Sequence, residues 1–183
     1  MANGHTLIIK AADYSKVSSH WEHVDTIASS GPAAVDLGLT SGTLWADMNL
    51  GAETPEGSGL YYIYGDPEGF TDSDAKASIT MDENAPSEWN YTDIATSVLG
   101  DGWTTPSVAD FEELQEECEW EWTTRNGVSG MLITSKASGN NNSIFLPAAG
   151  YIQEAQLQGV NVYGTYRSSE GYTAALSNDA ISL

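Results

Sequence analysis

The sequence predicts an α+β fold that is rich in loops. An amphipathic helix is predicted near the middle of the 183-residue chain, and short apolar runs with strand periodicity lie before and after it. The composition favours the same class, because 18 glycines, six tryptophans and nine tyrosines suit short strands and turns better than a helical bundle. A chain of this length can form one domain with a sizeable core.

The chain is strongly acidic, with 26 Asp and Glu against six Lys and Arg and a formal net charge of -20. Such a charge repels phosphate backbones and anionic membranes, so nucleic acid is not an expected partner. No apolar run reaches the roughly 20 residues of a membrane-spanning helix, and the first residues lack the pattern of a signal peptide. Cys118 is the one cysteine, which excludes a disulfide within the chain.

Residues 1–34 are predicted to be a lead-in or attachment segment rather than an independent domain. They hold few apolar residues, and Ser29-Ser30-Gly31-Pro32 interrupts their weak periodicity. We expect the segment to dock on the body of the protein, on a neighbouring subunit or on a larger assembly. We also expect that its deletion leaves the unfolding of residues 35–183 cooperative.

Two short clusters contain side chains that can bind metals. For His20, His23 and Asp25 a solvated polar turn is the favoured interpretation, since a metal site needs a further converging ligand. The stretch Asp72-Ser73-Asp74 could hold calcium, but it lacks the glycine and the terminal glutamate of an EF-hand loop. No cofactor is therefore predicted, and calcium is the one candidate ion.

The central helix is predicted to run from Ser107 to about Glu119. Ser107 is a suitable N-cap, and Asp110 follows it at the spacing of a capping box. One face of the helix is apolar and contains Phe111, which we expect in the core. The other face is acidic and contains Glu113, whose replacement by Ala is expected to cost little stability.

Short strands and a second helix are predicted around this helix. The segment from Val35 to Ala46 alternates around a Thr-Ser-Gly turn and predicts a hairpin. Residues 91–99 predict a short helix that stops at Gly100. Trp120 and Trp122 have strand spacing, and the apolar runs 131–134 and 143–146 predict another hairpin.

The segment after Gly150 is polar and aromatic and has no core periodicity. Tyrosine offers a large contact area at a low entropy cost, so this composition suits a recognition surface on a rigid scaffold. A long loop stiffened by tyrosines that pack inward is the alternative. The predicted ligand contacts are Tyr151, Gln153, Asn161, Tyr163, Tyr166, Arg167 and Tyr172.

Taken in order, the motifs of residues 35–183 resemble a family that is common in Bacteroidetes, the Fibrobacter succinogenes major paralogous domain. That family is similar to the C-type-lectin-like fold of formylglycine-generating enzymes and of the variable proteins of diversity-generating retroelements. The resemblance implies two helices, small antiparallel sheets and a binding face built from C-terminal loops. The stretches that carry it are Val35-Asp36-Leu37-Gly38-Leu39, Ser41-Gly42, Trp45-Ala46, Trp103, Thr105-Pro106-Ser107, Phe111-Glu112-Glu113-Leu114, Cys118 to Trp122, Ile144 to Tyr151 and Tyr166-Arg167-Ser168-Ser169.

The chain departs from the family pattern at three points. Thr104 stands where the family usually has a basic residue, and Arg167 stands where it usually has tryptophan. The family also continues past residue 183 with a strand that closes the sheet beside the first strand of the domain. For the domain at residues 35–183, three explanations of the missing closing strand stay open: the sheet is open, the chain is incomplete, or another segment fills the gap.

The resemblance implies a non-catalytic, ligand- or receptor-binding display module on a phage virion, in a head or tail fibre, or on a bacterial surface. Its expected partners are a cell-surface glycan or protein, other subunits of the virion or surface assembly, and further copies of the chain. A purely structural virion decoration protein is one alternative. An oxidoreductase like the formylglycine-generating enzymes is another, but that chemistry needs copper-binding or redox-active cysteines, and the chain has Cys118 alone.

Overall fold

The computed structural model describes residues 5–6, 10–11, 31–62, 69, 71, 93–153, 156–171, 173–178 and 181–182. Two helices lie in this part of the chain, α1 (Ile94–Leu99) and α2 (Val108–Glu117). The strands are β1 (His5–Thr6), β2 (Lys10–Ala11), β3 (Ala34–Asp36), β4 (Leu44–Ala46), β5 (Tyr61–Tyr62), β6 (Trp103–Thr104), β7 (Cys118–Arg125), β8 (Val128–Ser135), β9 (Ser143–Pro147), β10 (Tyr151–Gln153), β11 (Gln156–Gln158), β12 (Gly164–Arg167), β13 (Thr173–Leu176) and β14 (Ile181–Ser182).

The strands form four small sheets, so the fold is α+β as predicted. A five-stranded sheet has the order β14-β13-β12-β1-β5, and a four-stranded sheet has the order β3-β4-β2-β6. The hairpins after α2 form the three-stranded sheet β7-β8-β9, and β10 and β11 form a sheet of two strands. All pairs are antiparallel except β1 with β12, which is parallel. Neither described helix has the length and apolar character needed to cross a membrane.

Two strands of the predicted lead-in lie inside the larger sheets. β1 is hydrogen-bonded between β12 and β5, and β2 lies between β4 and β6. Lys10 is paired with both Trp45 and Thr104, which fixes the register of β2 against its two neighbours. The edge strands of this four-stranded sheet are β3 and β6.

Helix α2 begins where its capping residues predict and ends two residues earlier than expected. The Ser107 side chain accepts a hydrogen bond from Asp110 N, and the Asp110 carboxylate accepts one from Ser107 N in return. The helix stops at Glu117 because Cys118 already has extended backbone angles and starts β7. Glu113 is not free in solvent, since its carboxylate accepts hydrogen bonds from Ser41 N at 2.8 Å and Ser41 Oγ at 2.6 Å. Both hydrogen bonds are solvent-exposed, and the small expected effect of Glu113→Ala on stability stays a prediction.

The main core lies between α2 and the faces of the larger sheets. Trp45 is fully buried, and its ring meets the edge of Phe111 with centroids 5.5 Å apart. Leu114 and Cys118, on the same side of the helical segment, are also buried. A second, smaller cluster contains Tyr61 and Ile152 with Leu157 packed against them.

Burial of two acidic groups in this core predicts a loss of stability at alkaline pH. Burial raises the pKa of Tyr62 from 10.0 to about 12 and that of Cys118 from 9.0 to about 11. Because both folded pKa values lie above the unfolded ones, the stabilisation is complete below pH 9 and is lost between pH 9 and 12. Each group accounts for up to about 3 kcal/mol.

Thermal melts from pH 8 to 12 measure this loss. Cys118→Ala should remove the part of the loss in melting temperature that lies between pH 9 and 11, where the thiol ionises. Tyr62→Phe should remove the part between pH 10 and 12, where the phenol ionises. A decline that has the same shape in both variants and in the unchanged chain would contradict the assignment.

Candidate binding face

The β10–β11 hairpin has one apolar face and one polar face. Tyr151 is paired with Gln158, and Gln153 with Gln156, so these four side chains share the outer face of the hairpin. The Tyr151 hydroxyl donates a hydrogen bond to Gln158 Oε1 at 3.4 Å. The outer face therefore presents one aromatic ring and three amides.

The inner face of the hairpin fixes it to the body of the protein. Ile152 is fully buried and packs with Leu157 against Tyr61. The Tyr61 hydroxyl donates a hydrogen bond of 2.7 Å to the carbonyl oxygen of Ala149, just before β10. This small core holds the polar face in one orientation.

The loop at residues 159–163, between β11 and β12, is closed by its own backbone. The amides of Val162 and Tyr163 both donate to the carbonyl of Gly159, at 2.9 and 2.7 Å. Gly159 has a positive φ of 72°, and a side chain there would collide with Tyr163, because a Cβ would lie 2.6 Å from Tyr163 Cδ2. The Tyr163 ring therefore lies against the backbone at Gly159, next to the end of the hairpin.

Asn161 ties this loop to the sheet beneath it. Its backbone is left-handed, with a φ of 62°, which asparagine tolerates better than most residues. Asn161 N donates to the carbonyl of Ala148 at 2.8 Å, and Asn161 Oδ1 accepts from Ser129 N at 2.9 Å. Gly150 N donates to the carbonyl of Tyr163 at 2.7 Å on the other side. The loop is thus held in place at both ends and in its middle.

The loop exposes apolar side chains although its backbone is fixed. Val160 is 44% exposed, Val162 51% and Tyr163 49%, and among the described residues the one other large hydrophobic side chain so exposed is Val98. We refer to the outer side chains of β10 and β11 together with residues 159–163 as the binding face. A group of neighbouring apolar side chains that stays exposed on an ordered loop is a feature of interaction sites.

The described residues of the binding face carry no charged side chain, and Glu154, between β10 and β11, lies outside the described residues. None of its described residues, 151–153 and 156–163, is Asp, Glu, Lys or Arg, whereas the chain as a whole has a net charge of -20. The amides of the hairpin offer both donors and acceptors, and the loop offers apolar contact area. The face therefore suits a partner that is recognised through hydrogen bonds and apolar contacts rather than through a salt bridge.

The structure brings together four of the seven predicted contacts and excludes one. Tyr151, Gln153, Asn161 and Tyr163 lie on the binding face. The expectation that Tyr166 is an exposed contact is wrong, because its side chain is fully buried. The Tyr166 hydroxyl donates to the carbonyl of Pro147 at 2.7 Å, and burial raises its pKa.

Of the two remaining predicted contacts, Arg167 is described and is not part of the binding face. Arg167 is half-buried at the far end of β12, about 10 Å along the strand from Gly164, where the loop ends. Its guanidinium Nη1 donates to the carbonyl of Gly171 at 3.4 Å. Tyr172 lies outside the described residues, so its role stays a prediction.

The metal-ligand clusters considered above also lie outside the described residues. These are His20, His23 and Asp25 in the lead-in and the candidate calcium ligands Asp72 and Asp74. Among the residues that the structure describes, no group of three His, Cys, Asp or Glu side chains is arranged to hold a metal ion.

Val160 and Val162 are exposed side chains of the binding face that were not among the predicted contacts. The predicted contacts rest on polar and aromatic residue types, whereas valines are usually core residues. The sequence does contain a pattern that indicates an exposed loop here. The two valines alternate with Asn161 in a short stretch between Gly159 and Gly164.

Comparisons of the chain with protein-family models, with curated proteins and with solved structures find no match. The resemblance to the Fibrobacter succinogenes major paralogous domain and to the C-type-lectin-like fold therefore stays a prediction from the sequence motifs.

Proposed function

We propose that the chain is a non-catalytic display module with a C-type-lectin-like fold, which binds a receptor or ligand through the binding face. In this proposal the module is carried on a phage virion or on a bacterial surface. The observation that supports it most is the ordered 159–163 loop, which holds three large apolar side chains about half exposed. Leaving such side chains in water costs free energy that binding recovers.

The order of the loop also favours tight binding. A partner that meets a loop already fixed by hydrogen bonds from Asn161, Val162 and Tyr163 does not have to order it. The hairpin beside the loop adds uncharged amides. A cell-surface glycan or an uncharged patch of a cell-surface protein fits this combination, and an anionic ligand does not, given the net charge of -20.

The oxidoreductase alternative is weaker because of the state of Cys118. The residue is 1% exposed, and burial raises the pKa of its thiol to about 11. A reactive or copper-binding cysteine instead needs an accessible thiolate near neutral pH. A copper titration of the chain and of its Cys118→Ala variant tests this point, since tight binding that depends on Cys118 would favour the enzyme.

Replacing both loop valines by serine is expected to weaken binding about tenfold or more, because two anchors lose their apolar contact area. The variant Val160→Ser with Val162→Ser is compared with Val98→Ser, which alters a valine that is 47% exposed on α1 and is not part of the binding face. Labelled full-length chain is measured on an array of neutral and acidic glycans and, by flow cytometry, on intact cells of several Bacteroidetes species.

The proposal requires saturable binding by the unchanged chain and a loss in the loop variant alone. If the loop variant binds as well as Val98→Ser, the binding face takes no part in binding. Absence of binding to every glycan and every cell type would favour the structural decoration protein instead.

A further inference from the structure

The first two strands connect parts of the fold that are otherwise separate. We call β1 and β2 together the N-terminal arm. Among the described strands, β5 pairs with β1 and β6 pairs with β2, and neither β5 nor β6 pairs with another strand. The arm therefore occupies a gap between two strands in each of the larger sheets.

The arm is joined to the rest of the chain by a long stretch of sequence. Nineteen residues, 12–30, separate Ala11 from Gly31. A stretch of this length spans up to roughly 65 Å when extended, whereas a domain of this size is about 40 Å across. The arm is thus long enough to reach the same two gaps in a neighbouring copy.

The arm carries none of the acidic residues that dominate the rest of the chain. Residues 1–11 contain Lys10 and no Asp or Glu, so all 26 acidic residues of the chain lie beyond residue 11. Acidic side chains on the arm therefore do not oppose its approach to the acidic body of another copy. The strand pairings also have the same geometry whichever copy supplies the arm.

We propose that the arm of one copy can complete the two larger sheets of a second copy, which makes the chain a strand-exchanging oligomer. Exchange replaces each pairing by an identical one, so its main cost is bringing two copies together. The tether of residues 12–30 keeps the arm near its own body at an effective concentration of about 1 mM. Exchange is therefore expected when copies reach a similar local concentration, as they do in an ordered assembly.

Disulfide trapping between differently labelled copies tests the exchange. Lys10 and Thr104 face each other across β2 and β6, at a Cα separation of about 4.5–5.5 Å that a disulfide accommodates. Thr104 tolerates replacement, because its buried hydroxyl makes no hydrogen bond within the described part of the chain. Native Cys118 is buried and stays in place.

Copies with Lys10→Cys are mixed with copies with Thr104→Cys, held at about 1 mM and at about 10 µM, and then oxidised. A matched control mixes Lys10→Cys copies with copies that carry Ser138→Cys, at an exposed position in the β8–β9 turn. At the higher concentration we expect about tenfold more of the 10–104 disulfide than of the 10–138 disulfide between copies, as judged by non-reducing gels and mass spectrometry. The excess should fall on dilution.

The same pair placed in one chain provides the reference. A Lys10→Cys/Thr104→Cys chain should close within itself at the lower concentration and link copies at the higher one. If it closes within itself at both concentrations, and the mixture gives no more product than the control, the exchange proposal is wrong.

Failure of the double variant to form either product would also overturn the proposal, because the pairing of β2 with β6 would then be absent. If circular dichroism shows that the first pair disturbs folding, Ala11→Cys with Leu44→Cys repeats the test on the other side of β2.

Discussion

Deleting residues 1–30 is expected to abolish the cooperative unfolding of the remaining chain. The deletion removes β1 and β2, and with them the pairing partners of β5 and β6 among the described strands. Tyr61, Tyr62 and Trp103 on those strands are buried with the arm in place, so its removal exposes their apolar surface and breaks the strand pairings of β5 and β6. Each large apolar side chain that loses its burial costs about 1.5–3 kcal/mol, and three of them together match much of the stability of a typical domain.

Differential scanning calorimetry and amide hydrogen exchange of the full-length and truncated chains measure this effect. A synthetic peptide of residues 1–14, added in excess to the truncated chain, should restore a cooperative transition. Calorimetry that shows an unchanged melting temperature for the truncated chain would contradict the central position of the arm. It would favour the sequence-based expectation that residues 35–183 unfold cooperatively without the lead-in.

The position of the arm could not be predicted from the sequence because it depends on partners far along the chain. β1 pairs with Tyr166 and with Tyr61 and Tyr62, and β2 pairs with Trp45 and Trp103 among others. Each of these strands has two residues, too few to show an alternating pattern. Their strand conformation results from the sheets that surround them, so local propensity carries little information about them.

The elements with local signals were predicted well. The capping pair Ser107 and Asp110 marks the start of α2, and Gly100, with a φ of 86°, ends α1 as predicted. The hairpin of β8 and β9 follows from two apolar runs around a polar turn. In all of these cases the determining residues lie within a few positions of one another.

The candidate binding face was predicted in part, and two tyrosines show why. Tyr163 and Tyr166 are three residues apart and look alike in composition, yet one is half exposed and the other fully buried. The difference comes from β12, where Gly164 and Tyr166 point inward and pair with β13. The segment after Gly150 was predicted as a loop, in which burial does not alternate. In the strand β12 burial alternates with a period of two residues, and this places Tyr166 in the core.

Replacing Phe111 by Ala is expected to lower the free energy of unfolding by about 3–5 kcal/mol. Phe111 is 2% exposed and meets the Trp45 ring edge to face, so the truncation opens a cavity between α2 and the β4 strand. The surrounding side chains are large and fully buried, which limits how far the site can collapse.

Urea unfolding followed by tryptophan fluorescence measures the loss, with Glu112→Ala as the matched control on the exposed side of the same helix. The control is expected to change the unfolding free energy by less than about 0.5 kcal/mol. Phe111→Leu keeps most of the volume and should fall between the two variants, so the series remains measurable even if Phe111→Ala does not fold. Equal losses of unfolding free energy in Phe111→Ala and Glu112→Ala would mean that α2 presents a different face to the core. The contact between Phe111 and Trp45 would then not be the centre of the core.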